Sequence, residues 1–170
     1  FYIDGVYTII DMATAYGTSL GLNTTGLLLA LLLTQIVAFP ASLTFAVLSK
    51  TKDTASLIKV AIIAYFLIAL FAVQLDKQWE FWVLAVAVGC FQGGIQALSR
   101  SYFAKIIPEN ASGEYFGLFD ICGKGASFLG TMLIGVVTQI TGKQNLGVAA
   151  LSIMFVIGYL IFNIVSKMDD

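Results

Sequence analysis

The chain has 170 residues, of which 59% are hydrophobic and 11% charged, with a mean hydropathy of +0.92 and a net charge of -1. Soluble domains carry about 25% charged residues, so this composition predicts a polytopic membrane protein. The near-neutral charge, without a basic patch to neutralise phosphates, argues against nucleic-acid binding. Histidine, the commonest metal ligand and general base, is absent, and we predict neither a metal site nor a cofactor.

Six segments are long and apolar enough to cross a bilayer, which takes about 20 residues in a helix. The predicted spans are residues 1–20, 26–48, 56–75, 79–102, 114–139 and 146–166. Short linkers with turn chemistry join them, which leaves no room for a soluble domain. The chain starts with Phe1 inside an apolar segment rather than with methionine, so we expect it to be part of a longer protein.

The basic residues divide unevenly between alternate linkers, and this division predicts the topology. One side holds Lys50, Lys52, Lys59, Arg100, Lys105 and Lys167, and the other holds Lys77 and Lys143. The loops between helices two and three and between helices four and five, together with the C-terminus, are therefore predicted to be cytoplasmic.

Polar residues form stripes at helical spacing along four of the six segments. The stripes are Asp4, Thr8, Asp11, Ala15 and Thr18; Gln35, Ala38, Ser42 and Ala46; Gly89, Gln92, Gly93, Gln96 and Arg100; and Asp120, Lys124, Ser127, Thr131 and Thr138. Segments three and six have no comparable stripe. We predict that segments one, two, four and five border a polar interior, whereas three and six face lipid. This order occurs twice, as two inverted three-helix repeats would produce.

Four ionisable side chains, Asp4, Asp11, Asp120 and Lys124, lie inside predicted spans. Each costs about 2.5–3.5 kcal/mol at the bilayer centre on the insertion scale, so each must face protein or water. From the helical rise, Asp11 and Lys124 fall near the midplane and can pair, whereas Asp4 and Asp120 share a shallower cytoplasmic level. Asp120 and Lys124 are also spaced for pairing within one helix.

Three carboxylates against one lysine leave an excess of negative groups in these spans. Because burial disfavours the charged form, at least one aspartate is a candidate proton carrier or a ligand for a cationic solute. The alternative is a buried ion network that only locks the helices together. The first alternative corresponds to a transporter, and the second to a membrane scaffold or partner-binding protein.

Gln92 and Gln96, one helical turn apart, are candidates for hydrogen bonding to a solute, or for hydrogen bonding between helices. Arg100 is most simply a topology anchor, and a gating salt bridge with Glu109 or Glu114 is the alternative. Three small-residue pairs predict close helix packing: Gly17 with Gly21, Gly89 with Gly93, and Gly113 with Gly117.

An intramembrane enzyme is the remaining class. A rhomboid-type protease needs a histidine beside its serine, and an aspartyl protease needs two facing aspartates. Asp4 and Asp120 could imitate such a pair, but the GxGD motif is absent. We therefore predict that the chain is not an enzyme.

Several runs resemble one branch of the major facilitator superfamily, that of the vacuolar amino-acid effluxer (autophagy-related) proteins and their bacterial relatives. The run YIDGVYTIIDMATAYG is similar to its seventh helix, LLTQIVAFPASLTF to its eighth, and GCFQGGIQALSRSYFAKIIPENASGEYFGLFDICGKGASFLG to its tenth and eleventh. The most specific parts are the Q-G-G-x-Q-A-x-S-R-S string and the I-P…E-x-F-G turn. The resemblance covers essentially the whole chain.

The resemblance implies the C-terminal six helices of a twelve-helix secondary transporter with alternating access, whose partner is the missing N-terminal half. It implies a small polar solute, and amino-acid efflux is suggested by the eukaryotic members. We predict a bacterial inner membrane rather than a vacuolar location. The loop from Ala46 to Asp53 departs from the superfamily pattern G-x-x-x-D-R-x-G-R, with Ala46 for glycine and Lys50 for aspartate, which puts a gating role for it in doubt.

Overall fold

The computed structural model describes residues 2–108 and 112–168, except for the side chains of Ser112, Lys124, Ala126, Ser127 and Met168. It consists of six helices: α1 Tyr2–Ser19, α2 Thr24–Leu48, α3 Thr54–Val73, α4 Gln78–Ile106, α5 Ser112–Thr141 and α6 Gln144–Met168. Each helix lies where the sequence predicts it, with its ends shifted by no more than four residues. The all-α prediction is therefore confirmed.

The short linkers end and start helices through local side-chain and backbone chemistry. Gly21 follows α1 and Gly142 follows α5, both in the left-handed region, with φ of 75° and 69°. Glycine adopts this conformation without a steric penalty, which is why it commonly ends helices. Asn23 caps α2, because its side chain accepts the Thr25 and Gly26 N–H groups at 2.9 and 3.3 Å. Such caps make linkers of a few residues sufficient.

Five of the six helices in the described part of the chain, α2 to α6, are long and apolar enough to cross a membrane. The exception is α1, which carries Asp4, Asp11 and several hydroxyl groups. The prediction of six apolar spans is therefore correct for five. Helix α1 packs against α5, α6 and α2, so protein rather than lipid surrounds much of its surface. A helix enclosed in this way tolerates polar groups that lipid would not.

The helices pair across the two halves of the chain. Helix α2 packs on α4 and α5 packs on α1, while α3 packs on α4 and α6 packs on α1. Helices α3 and α6 pack against each other. This exchange between helices one to three and four to six is the pairing expected of two three-helix repeats. The two halves are not equivalent, because α5 packs along α6 and α1 along α2, whereas the described residues of α2 and α3, and of α4 and α5, make no comparable contact.

The buried core is centred on α3, which packs against both α4 and α6. Tyr65 of α3 and Phe155 of α6 are fully buried and stack with ring centroids 5.8 Å apart. The exposed residues on the outer sides of α3 and α6 are mostly large and apolar, for example Leu67 and Leu160. The prediction that these two helices face lipid therefore applies to their outer sides, because their inner sides form the core. The least buried spans are α2 and α5.

Glycine pairs have different surroundings in α4 and α5. A Cβ atom on Gly89 would lie 2.8 Å from the Thr34 carbonyl oxygen, and one on Gly93 would lie 2.8 Å from the Ser42 Cβ. The predicted close packing of α4 is thus confirmed, with α2 as the partner helix. Gly113 and Gly117 have no described atoms within 4 Å of such a position, so close packing of that pair stays a prediction.

Hydrogen bonds between distant segments define the two ends of the bundle. At one end the Tyr2 hydroxyl bonds the Ser99 hydroxyl at 2.9 Å. At the other end the Asn145 side chain donates to the Val73 carbonyl at 3.2 Å. The first end holds the α2–α3 and α4–α5 linkers, and the second holds Lys77 and Lys143. The assignment of the first end to the cytoplasm is a prediction from charge.

Candidate functional site: a buried carboxyl group and an adjoining cleft

Among the predicted site residues whose side chains the structure describes, Asp4 is the most enclosed, with no exposed surface. Its Oδ1 accepts the Gly130 N–H of α5 at 3.3 Å and the Thr8 hydroxyl at 3.5 Å. Thr8 reaches this oxygen because residues four apart are neighbours on a helix. No described residue lies within hydrogen-bonding distance of Oδ2. Asp4 therefore has one oxygen bonded to neutral donors and one buried oxygen without a described partner.

Gly130 permits the contact between α1 and α5 at this point. A Cβ atom there would overlap the Thr8 hydroxyl group, so only glycine lets the two helices approach this closely. The sequence does not distinguish Gly130 from the other glycines of α5, such as Gly125 and Gly135, which face open space. The sequence does indicate the contact between Thr8 and Asp4, because both lie on the predicted polar stripe of α1 and are four residues apart.

Asp120 lies in a different environment. Its Oδ1 is 3.3 Å from Nη2 of Arg100, and the two side chains are 50% and 56% exposed. The ionic partner of Arg100 in the described part of the chain is thus Asp120 rather than the exposed Glu114. Glu109 lies outside the described residues. Exposed pairs of this kind stabilise a protein by about 0–1 kcal/mol, so this one joins α4 to α5 only weakly.

The prediction that Asp4 and Asp120 share one level is wrong. Asp4 contacts Gly130, ten residues further along α5 than Asp120, and that spacing is about 15 Å of helix. The reason is that the start of α1 packs beside the middle of α5. The two carboxyl groups therefore do not form the facing pair that an aspartyl protease requires.

Asp11 is exposed, as are Ala15 and Thr18 further along the same stripe. The contacts of this stripe with Gly130 of α5 are made by Asp4 and Thr8. The side chain of Lys124 lies outside the described part, so its pairing with Asp11 or with Asp120 stays a prediction. Of the three aspartates, the structure brings none together.

A cleft lies beside Thr8, between α1, α2 and α4, with a cavity volume of about 60 Å³ and an opening to the surroundings. Two of its polar groups are already engaged. The Thr34 hydroxyl donates to the Ala30 and Ala85 carbonyls at 2.9 and 3.2 Å, and the Tyr16 hydroxyl donates to the Ala72 carbonyl at 2.9 Å. Most other lining residues are apolar, so the predicted polar interior is present only in part.

Gln35 and Gln92 also line the cleft, and Oε1 of Gln92 is buried without a described hydrogen-bond partner. A buried acceptor left without a donor is costly, so a donor from a bound molecule would be favourable there. Gln96 is half-buried and does not line the cleft, although it lies one turn from Gln92. The structure thus separates two glutamines that the sequence groups together.

Comparison with known proteins gives the family. The family described as "Vacuole effluxer Atg22 like" matches residues 1–169. The MFS-type transporter YxiO of Bacillus subtilis is 45% identical over 167 residues, which cover 98% of this chain and 39% of that protein. Autophagy-related protein 22 of Eremothecium gossypii is 35% identical over 92 residues, 54% of this chain and 18% of that protein.

No solved structure matches the chain. The chain spans less than half the length of these relatives. Almost all of this chain, 98% of it, aligns with YxiO. The sequence runs that resemble the effluxer branch lie within the matched region, so the resemblance is confirmed. The chain belongs to the Atg22-like vacuole effluxer family, a branch of the MFS-type transporters.

Proposed function

We propose that this chain is the C-terminal six-helix half of a secondary transporter that moves small polar solutes, with amino acids as the leading class, by alternating access. The family and the five apolar spans support a membrane transporter. The cross-pairing of the two helix triplets supports the half-transporter architecture, since transporters of this kind are built from such repeats. The complete protein would include a further N-terminal half as the partner of this one.

The observation that carries a coupled mechanism is the environment of Asp4. An ionised carboxylate buried without a cationic partner is far more costly than a neutral acid in the same place. No described cation lies within ion-pair distance of Asp4, and its described donors are neutral. We propose that Asp4 carries the coupling proton while α1 and α5 are in contact, and releases it when they separate.

The remaining predicted residues take secondary roles in this proposal. Gln92 accepts a hydrogen bond from a donor group of the solute in the cleft, whereas Gln96 acts between helices. Asp11, on the open part of the α1 stripe, is available to the N-terminal half or to a cationic group of the solute. Asp120 with Arg100 forms a weak ion pair between α4 and α5, and Lys124 remains a candidate partner for Asp11 or Asp120.

The test uses the full-length protein in liposomes and a panel of labelled amino acids. Counterflow exchange reports binding and movement, and accumulation under an imposed pH gradient reports coupling. We expect Asp4→Asn to keep exchange and lose gradient-driven accumulation. Asp120→Asn is the matched control and should keep both, because its carboxylate is exposed and its ion pair with Arg100 is weak.

Equal accumulation by the parent and Asp4→Asn would overturn the role of Asp4 but leave the transporter proposal standing. A parent protein that exchanges no solute, with an Asp4→Asn variant that is only less stable, would instead favour the membrane scaffold with structural charges.

A further inference from the structure

Four lysines from three segments gather at the end of the bundle that holds the α2–α3 linker. Lys50 and Lys52 belong to the linker and Lys59 to the second turn of α3. Lys105 comes from the last turn of α4, and its Nζ lies 3.5 Å from the Thr54 hydroxyl at the start of α3. The fold thus brings Lys105 to a linker that lies about fifty residues earlier in the sequence.

The described residues 49–59 include one carboxylate beside three of these lysines. Asp53 is the carboxylate in the linker, and its Oδ2 accepts the Ser56 N–H at 2.9 Å and the Ser56 hydroxyl at 3.1 Å. These hydrogen bonds hold the pKa of Asp53 below its usual range, so it stays ionised as one negative charge beside the three lysines of residues 49–59. In the described part of the chain, the ion pairs within 4 Å include none to these lysines.

Apolar surface continues from the lysines along the helices. At the end of α2, Val47 and Leu48 are exposed, and Val60 is exposed next to Lys59 in α3. Helices α2 and α3 both pack on α4 rather than on each other, so neither covers the other's exposed side. A cationic rim above apolar helix surface matches a phospholipid, which offers a phosphate above acyl chains. A free inorganic anion would make no use of the apolar part.

We propose that Lys50, Lys52 and Lys105 form a binding site for the headgroup of an anionic phospholipid in the adjacent leaflet. Basic residues that border transmembrane helices attract anionic lipids, with a contribution of about fivefold in affinity per lysine. The site is independent of the proposed transport function, because no solute-binding residue belongs to it. It gives this face of the bundle a preferred lipid composition.

The test is native mass spectrometry of the full-length protein released from membranes of equal parts phosphatidylglycerol and phosphatidylcholine. We expect the parent to retain phosphatidylglycerol preferentially. The variant Lys50→Gln/Lys52→Gln/Lys105→Gln should lose that preference by well over the roughly fivefold expected for one lysine. The Lys→Arg triple variant should restore it, because the charge is kept.

The matched control is Lys77→Gln/Lys143→Gln, which removes lysines from the opposite end of the bundle and should keep the preference. An unchanged preference in the Gln triple variant would overturn the proposal. So would displacement of the bound lipid by millimolar inorganic phosphate, since that result would indicate a simple anion site. Circular dichroism and size-exclusion profiles of the variants establish that each is folded, and the exposed positions make folding failure unexpected.

Discussion

At the residue scale, Gly130 is the position where α1 and α5 allow least change. A Cβ atom there would overlap the Thr8 hydroxyl group, so Gly130→Ala should destabilise the protein by about 1–3 kcal/mol. Gly135→Ala in the same helix has open space around it and should be neutral or stabilising by about 0.5–1 kcal/mol. Thermal unfolding of the purified full-length protein in detergent measures both effects.

The double variant Gly130→Ala/Thr8→Ala identifies the cause. Removing the Thr8 hydroxyl and methyl groups relieves the closest part of the overlap and leaves the Thr8 Cβ at 2.8 Å. The double variant should therefore lose less stability than the sum of the two single losses. Additive losses would show that the overlap is not what limits position 130. The same contact positions the Gly130 N–H against Asp4, so a stability effect here should be accompanied by a change in transport.

At the residue scale, substitution of Gln92 also distinguishes a role in solute binding from a role in helix packing. Replacing it by leucine removes a buried acceptor that has no described partner, and such a change is close to neutral for stability. If a solute donor binds Oε1, the apparent affinity in counterflow should fall by about 1–3 kcal/mol, a factor of roughly 5 to 150. Gln96→Leu is the control and should leave affinity nearly unchanged. A loss of stability in Gln92→Leu with normal affinity would indicate a packing role instead.

At the scale of single elements, α3 depends on Asp53 for its start. The carboxylate accepts the Ser56 N–H at 2.9 Å, and an N-cap of this kind is worth about 1 kcal/mol. Asp53→Ala should lower the free energy of unfolding by about that amount, whereas Asp53→Asn should lower it less, because asparagine also caps helices.

The Asp53 cap also predicts a pH dependence. The pKa of Asp53 lies below its usual range because the Ser56 N–H and hydroxyl favour the ionised form. Its contribution is therefore present above the unfolded-state pKa of about 4, and is lost as the pH falls through the lower folded-state pKa. Asp53→Asn should lack this step in unfolding measured across the acidic range. If the stability of parent and variant falls identically with decreasing pH, ionisation of Asp53 does not contribute to the cap.

The elements themselves could be predicted from the sequence, whereas their mutual placement could not. The helix ends followed from apolar length and turn residues such as Gly21 and Asn23, which act locally. The level of Asp4 relative to Asp120 depends on where α1 meets α5, and that is set by packing between segments more than a hundred residues apart. Helical spacing groups Gln92 with Gln96, but the neighbouring helices decide that only Gln92 lines the cleft.

At the scale of the whole molecule, α1 differs from the other helices in what it needs. Helices α2 to α6 are apolar enough to enter a bilayer alone, but α1 has Asp11 near its middle and Asp4 near its start. In the bundle, Oδ1 of Asp4 accepts hydrogen bonds from Gly130 and Thr8. An isolated α1 would keep Thr8 but lack Gly130, which belongs to α5. Helix α1 should therefore depend on α5 and α6 for stable membrane insertion.

This dependence is testable by placing single helices in a host protein and scoring insertion by glycosylation. An aspartate at a helix centre opposes insertion by about 2.5–3.5 kcal/mol, so Tyr2–Ser19 alone should remain mostly outside the membrane. Thr54–Val73 should insert almost completely, since it combines a span's length with few polar residues. Asp11→Leu should raise the inserted fraction of α1 more than Asp4→Leu, because Asp11 lies closer to the helix centre. Equal insertion of unmodified α1 and α3 would show that α1 needs no partner, and its polar stripe would then have to be explained by solute or proton contact alone.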